Sequence, residues 1–302
     1  MGVRTSTYPA SVGKRLGPGI VIVAVAGLLG SFIAVLDMEG ARAAVIIAGI
    51  SLASLAVFHV ASRNDPIGPL LFRLLIVALL LKFGAIIFRL WFIFDQYGGF
   101  ADAVGYHGGG IRISTAILNG LSPETSHFYG TELVSFITGI FYLFTGPTLI
   151  GAFVFWAWLG LLGMLFFYKA FATAFPNGNH RLFAYLIMLY PSMALWTSSL
   201  GKDALVCFSL GLGTLGAARL MRRISLPNFL ILGVGLGGVM LIRPHVAGIA
   251  VVAVAAASLW RPARAGLLTP IVRVVVVLVF AVVAIFVVRT SASYIQLDDL
   301  TP

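Results

Sequence analysis

The chain is a succession of long apolar runs separated by short polar stretches. Runs near 18–36, 41–61, 70–94, 149–171, 182–200, 204–221, 227–243, 245–260 and 271–288 carry few charges and have lengths that suit membrane-crossing helices. The run at 132–146 (ELVSFITGIFYLFTG) is too short to cross comfortably and predicts a helix lying at the membrane interface. It belongs to a long non-spanning stretch, 95–148, far above the usual connection length, which marks that stretch as a functional loop. Barrel strands would alternate in polarity over about ten residues, whereas these runs are near-continuous and rich in Leu, Ala, Val and Gly. Backbone polar groups in lipid must be satisfied within the segment. The expected fold is therefore all-α, a single polytopic bundle of about nine spans across 1–302.

Composition supports this reading. The chain is 60% hydrophobic and only 10% charged, with a mean hydropathy of +1.04, against about 25% charged residues in a soluble domain. Arg4, Lys14 and Arg15 precede the first run, and Ala41-Arg42-Ala43 resembles a cleavage site. The run itself is long for a signal-peptide core, so a retained first span is expected. The net charge of +10 is scattered between runs rather than gathered on one soluble face, which excludes a nucleic-acid partner. Cys207 is the only cysteine, so there is no intramolecular disulfide and no cysteine metal site.

Charge also sets the orientation. With nine spans and a cytoplasmic N-terminus, thirteen of the twenty Lys and Arg residues fall inside, including the cluster Arg219, Arg222 and Arg223. Counting 132–146 as a tenth span would turn that cluster outward. Nearly all the acids then lie outside, Asp65 excepted, although acids played no part in the assignment. The outer face is where the chemistry is expected, at the cell membrane.

Three constellations stand on that face. In Asp102-Ala-Val-Gly-Tyr106-His107-Gly-Gly-Gly, a helix would put Asp102 and Tyr106 on one side at i, i+4, with His107 beside them. A carboxylate and an imidazole there can act as base, metal ligand or phosphate partner, and a solvated loop loosened by glycine is the plain alternative. The second is Ser199-Leu-Gly-Lys202-Asp203, after a proline kink at Tyr190-Pro191. Asp203 suits the first turn of the next helix, where the dipole favours an anion; a cap with a local ion pair would explain it equally. The third, Arg243-Pro244-His245, joins two short spans, so its turn lies at or below the interface. An Arg there is costly unless it faces a cavity or a partner, or snorkels. Together the three clusters supply carboxylates and cations suited to a phosphate headgroup.

The order of these motifs, with Tyr129-Gly-Thr-Glu132 between the first and second, resembles the GT-C superfamily of membrane glycosyltransferases that use polyprenyl-phosphate sugar donors. It is most like the aminoarabinose- and mannose-transferring branch and related polysaccharide-assembly proteins. The resemblance covers about 95–245. It implies a catalytic Asp102 in the first large outer loop, acting as general base or holding a divalent metal, and an interfacial helix at 132–146. It also implies that Asp203 binds metal or orients Lys202, and that Lys202, Arg243 and His245 grip the donor phosphate beside Tyr106 and His107. The sequence departs from the family in having Asp102-Ala103 where an acidic pair is common. The expected partners are a polyprenyl-phosphate sugar donor and membrane lipid. A polysaccharide polymerase acting on polyprenyl-diphosphate-linked glycans, or a non-enzymatic transporter or lipid-handling protein, are the rival expectations.

Overall fold

The computed structural model describes residues 38–123 and 128–259, together with the single positions Gly27 and Ile285. The expected spans at 18–36 and 271–288, and Glu124 of the outer loop, lie outside the described residues. Within them the chain is helical throughout. The order is α1 (Met38–Arg63), α2 (Gly68–Trp91) running into a π-helical turn (Phe92–Gln96), α3 (Asp102–Leu118), α4 (Gly130–Thr145), α5 (Leu149–Ala174), α6 (His180–Leu189), α7 (Pro191–Trp196), α8 (Lys202–Arg222), α9 (Leu226–Ile242) and α10 (Pro244–Leu259). Four helical stretches are long and apolar enough to cross a membrane: α1, α2 with its π-helical turn, α5 and α8. The chain is thus an all-helical protein of membrane character.

Local sequence explains the helix ends. Asp65 and Pro66 stop α1, and the Asp65 carboxylate accepts from the Ile67 N–H at 3.1 Å before α2 begins. Thr148 caps α5 by accepting from Gly151, and Asn179 caps α6 by accepting from Leu182. The expected single span at 182–200 is instead two short helices. Pro191 has no N–H to donate and holds Tyr190 extended at φ −65°, ψ 119°, so the helix ends there and restarts.

Glycine sets the packing of the long helices. A Cβ on Gly163 of α5 would lie 2.5 Å from the Cys207 carbonyl of α8, and one on Gly235 of α9 would lie 2.2 Å from the Gly213 nitrogen of α8. The backbones of α5, α8 and α9 therefore touch, the arrangement that small residues permit where lipid supplies no hydrophobic drive. The same device joins α3 to α4. Cβ atoms on Gly109 and Gly110 would meet Ser135 and Thr138, and one on Gly139 would meet Ile113. Gly109 and Gly110 thus form part of the contact face of a helix, and the solvated-loop alternative for this segment is set aside.

The helices differ in reach. Thr197 packs on Gly160, and Cys207 on Gly163. The turn before α8 therefore lies beside the middle of α5, about 16 Å from its first residue at 1.5 Å per residue. The space above that step is filled by α3 and α4. Tyr106, Val134 and Tyr142 share one apolar cluster with Trp156 of α5, Leu200 and Ile242, and the Trp156 indole N–H donates to Thr138 at 3.1 Å.

Candidate functional site

The step where α8 begins collects most of the residues singled out from sequence. Asp203 occupies the first turn of α8, behind a Gly201 N-cap that supplies no side-chain hydrogen bond. First-turn N–H groups are left for another acceptor, at the positive end of the helix dipole. Arg243 caps the C-terminus of α9 and binds Asp203 through its guanidinium at 2.7 Å. Sequence suggested Lys202 as the partner of Asp203, but consecutive residues of a helix point about 100° apart, and Arg243 arrives from the end of the neighbouring helix α9 instead. The pair is open, with side chains 39% and 42% exposed.

Tyr106 joins this pair to the first constellation. Its ring lies 3.8 Å from where a Cβ on Gly201 would stand, and Asp102, Asp203, Arg243 and the Thr131 hydroxyl all act on its phenol. Burial pushes that phenol above its usual range and Asp102 adds to the effect, so Tyr106 is a neutral hydroxyl between two carboxylates. Asp102 and Tyr106 share a face of α3 as their spacing predicts, and Asp102 is exposed.

The remaining sequence candidates divide. Lys202, the first residue of α8, is half-buried and makes no ion pair or hydrogen bond among the described residues. His245 is exposed in the first turn of α10, also without a partner among them. His107 points elsewhere. Its Nδ1 shares a 2.6 Å hydrogen bond with the Tyr142 hydroxyl of α4, which also donates to the Thr148 carbonyl. Burial holds the His107 imidazole below its usual range, opposed by Glu39, which accepts from the Leu149 N–H. His107 thus joins α3 to α4 rather than the Asp203 cluster.

Three features add to what sequence offered. Arg89 of α2 lies over the Trp196 ring at 5.2 Å and within electrostatic reach of Asp203. Lys82, only 1% exposed, donates to the Thr197 carbonyl at 3.3 Å and to the hydroxyls of Thr197 at 2.6 Å and Ser198 at 3.3 Å. It fixes the turn from which α8 starts. An apolar groove of about 440 Å³ runs from Asp203 and Thr197 past Trp196, Met193, Val206 and Leu210 to Phe167. A charged Lys or Arg inside an apolar run is itself a sequence signal for such a site.

The donor set does not fit a divalent metal. Among the described residues no three His, Cys, Asp or Glu side chains gather, and Asp203 is already neutralised by Arg243. No metal step is derived for Asp102 or Asp203. The arrangement can hold an anion beside an apolar chain and present one free carboxylate next to it. In comparisons with family models, curated proteins and solved structures, nothing matches this chain.

Proposed function

We propose that the protein is a membrane glycosyltransferase of GT-C type, transferring a sugar from a polyprenyl-phosphate carrier to an acceptor at the outer leaflet in cell-envelope glycan assembly. One observation carries this reading: Asp203, paired with Arg243 at the uncapped start of α8, lines one end of an apolar groove, and Asp102 and Asp203 both act on the Tyr106 phenol. A groove of that kind suits an isoprenoid chain and the cations suit its phosphate.

In the proposed step the Asp102 carboxylate takes the proton of an acceptor hydroxyl. The acceptor oxygen then attacks the anomeric carbon, and the bond from that carbon to the phosphate oxygen breaks with inversion. Its electron pair stays on the lipid phosphate. Arg243, Lys202 and the first-turn N–H groups of α8 stabilise that charge, which is larger in the transition state than in the bound donor. His245 serves at the rim. The accompanying topology has nine spans in the plasma membrane and a cytoplasmic N-terminus. Reporter fusions after Arg63, Arg181 and Arg223 are expected to read cytoplasmic, and fusions at Asp102, Gly201 and Pro244 external. An external signal after Arg223 would refute the shared outer site.

The chemical test is transfer from a polyprenyl-phosphate-linked hexose in nanodiscs. Asp102→Asn keeps the volume and removes the base, so turnover should fall by roughly 10²–10⁴ with donor binding retained. Undiminished transfer would assign Asp102 to structure. One observation favours a rival transporter reading: a buried Lys82 beside a broken helix, a combination that transport proteins use. Wild-type protein that moves the carrier lipid between leaflets without transferring sugar would select that rival.

A further inference from the structure

We infer that the face of the bundle around Asp65 binds the headgroups of anionic phospholipid, with exposed arginines as the ligands. The inference rests on the membrane character of the fold and not on the proposed reaction. Lys169 of α5 binds Asp65, which joins the end of α5 to the turn between α1 and α2. Phe171 of α5 stacks on Phe183, which brings the start of α6 to the same place. Gly211 of α8 meets Gly163 of α5, and further along Leu215 and Ala218 pack with Ala170, so the two helices run side by side and end together. Arg63, Arg73, Arg181, Arg219, Arg222 and Arg223 therefore stand at one end of the molecule, and all six are exposed.

No acid answers them. Asp65 is the only Asp or Glu of this end among the described residues, and its buried carboxylate is already taken by Lys169, Tyr168 and the Ile67 N–H. Glu39, Asp95, Asp102, Glu132 and Asp203 lie toward the opposite end, in the first turns of α1, α3, α4 and α8 and in the turn that finishes α2. None of the six guanidinium groups makes an ion pair or a side-chain hydrogen bond among the described residues. Like charges gathered on one face repel one another unless an anionic partner meets them.

The neighbours of the arginines choose that partner. Ile224 and Leu226, both exposed, come directly after Arg222 and Arg223, and exposed Leu182 follows Arg181. An acidic soluble protein would meet the charges and leave these apolar side chains in water. A leaflet of anionic phospholipid meets both, with acyl chains against the apolar groups and phosphates against the guanidinium groups. Arginine suits that contact, because its planar fork donates two parallel N–H bonds to one phosphate. Arg63, Arg219 and Arg222 also complement the dipoles of the helices they end, and basic loops set topology. Neither role occupies the outward N–H groups, which stay open to a headgroup. On the proposed nine-span topology this face meets the cytoplasmic leaflet.

The test holds the full chain in phosphatidylcholine nanodiscs and compares spin-labelled phosphatidylglycerol with spin-labelled phosphatidylcholine by the fraction of each immobilised at the protein. One arginine beside an anionic headgroup shifts such an exchange by about fivefold, so wild type should favour phosphatidylglycerol by about that factor, and by less in high salt. Arg219→Gln, Arg222→Gln and Arg223→Gln together should lower the preference about twofold, and adding Arg63→Gln, Arg73→Gln and Arg181→Gln should abolish it. Unchanged association of phosphatidylcholine certifies the fold of each variant. Lysine at the same six positions keeps the charge and should keep most of the preference. Arg112→Gln, on α3 toward the opposite end, should leave it as in wild type. Equal association of the two lipids with wild type, an undiminished preference in the six-Gln variant, or an equal loss in Arg112→Gln would overturn the inference. So would a six-Lys variant that falls as far as the six-Gln one, since the loss would then be structural. If soluble polyglutamate binds wild type and phosphatidylglycerol is not preferred, the face takes an acidic protein and the lipid assignment is overturned.

Discussion

At one end of the bundle the Asp65 carboxylate, its side chain 2% exposed, accepts from the Tyr168 hydroxyl at 2.6 Å, the Lys169 ammonium at 2.6 Å and the Ile67 N–H. Lys169 also donates to the Ala61 carbonyl. At the other end Asp203 meets Arg243 in the open, while Asp102, Lys202 and the Arg89 Nε have no hydrogen-bond or ion-pair partner among the described residues. Both ends use acid–base pairs, yet only the first closes its hydrogen-bond inventory. A buried charge with every valence met ties α1, α2 and α5 together and has nothing left to offer a ligand. A half-open pair with spare cations adds little to folding and keeps its capacity for one.

The contrast can be broken by exchanging damage between the two ends. Asp65→Ala removes the shared acceptor of the Tyr168 hydroxyl and the partly exposed Lys169 ammonium and should cost about 1–3 kcal/mol of stability. Chemical denaturation in detergent would show it, and whatever protein remains folded should bind donor as wild type does. Asp203→Ala should do the reverse. The exposed pair is screened and worth at most about 1 kcal/mol to folding, whereas donor binding should fall clearly. If Asp203→Ala destabilises as much as Asp65→Ala, the two ends are alike and the site assignment loses its basis.

A smaller effect sharpens the role of Arg243. If it only carries its charge to the interface, lysine replaces it freely. If it grips phosphate with its planar fork, Arg243→Lys should weaken donor binding by about tenfold, and Arg243→Ala should weaken it further. Equilibrium binding to nanodisc-held protein separates these outcomes, and wild-type affinity in Arg243→Ala would leave Lys202 as the phosphate ligand.

The smallest predicted effect concerns His107. Burial depresses its folded-state pKa below the ordinary 6.5, so the unfolded chain takes up the proton first as pH falls. Its contribution to stability is complete above about 6.5 and is lost as pH drops through that value toward the lower folded pKa. Melting temperatures at pH 7 and pH 5 should therefore diverge more for wild type than for His107→Phe, by less than about 1 kcal/mol of stability. Equal acid sensitivity in the two proteins would remove His107 as its source.

Much of the fold was readable because apolar runs and helices obey the same length rule. The runs at 41–61, 70–94, 149–171 and 204–221 fall inside α1, α2 with its π-helical turn, α5 and α8, and the interfacial segment 132–146 nearly coincides with α4. The sequence was least informative where glycine and proline matter. Gly105 and Gly108–Gly110 lower helix propensity, so α3 was readable only conditionally, although Gly109 and Gly110 are what let it pack on α4. The Pro191 break was legible as a kink, but the turn that follows α7 is held by Lys82, 115 and 116 residues from Thr197 and Ser198 in the chain. In the site, the grouping of Asp102, Tyr106, Asp203 and Arg243 followed from charge and topology. The pairing of Asp203 with Arg243 rather than Lys202 is a tertiary choice that no local spacing encodes. His107 meets Tyr142 of α4 for a similar reason, since one residue of offset from Tyr106 turns it that way.

The unequal reach of the helices has a consequence for the lipid around them. α9 and α10, of 17 and 16 residues, match a hydrocarbon slab of only about 24–26 Å, whereas α1 and α5, at 26 residues each, extend about 39 Å. On the nine-span topology proposed above, the bilayer beside α9 and α10 would be thinner than the bilayer beside α1 and α5. Mismatch costs a fraction of a kcal/mol per Å, which is enough to draw the leaflet down beside α9 and α10. On the proposed function, carrier lipids arriving on that flank would travel along a depressed surface, their headgroups brought to the level of Arg243 without leaving the membrane.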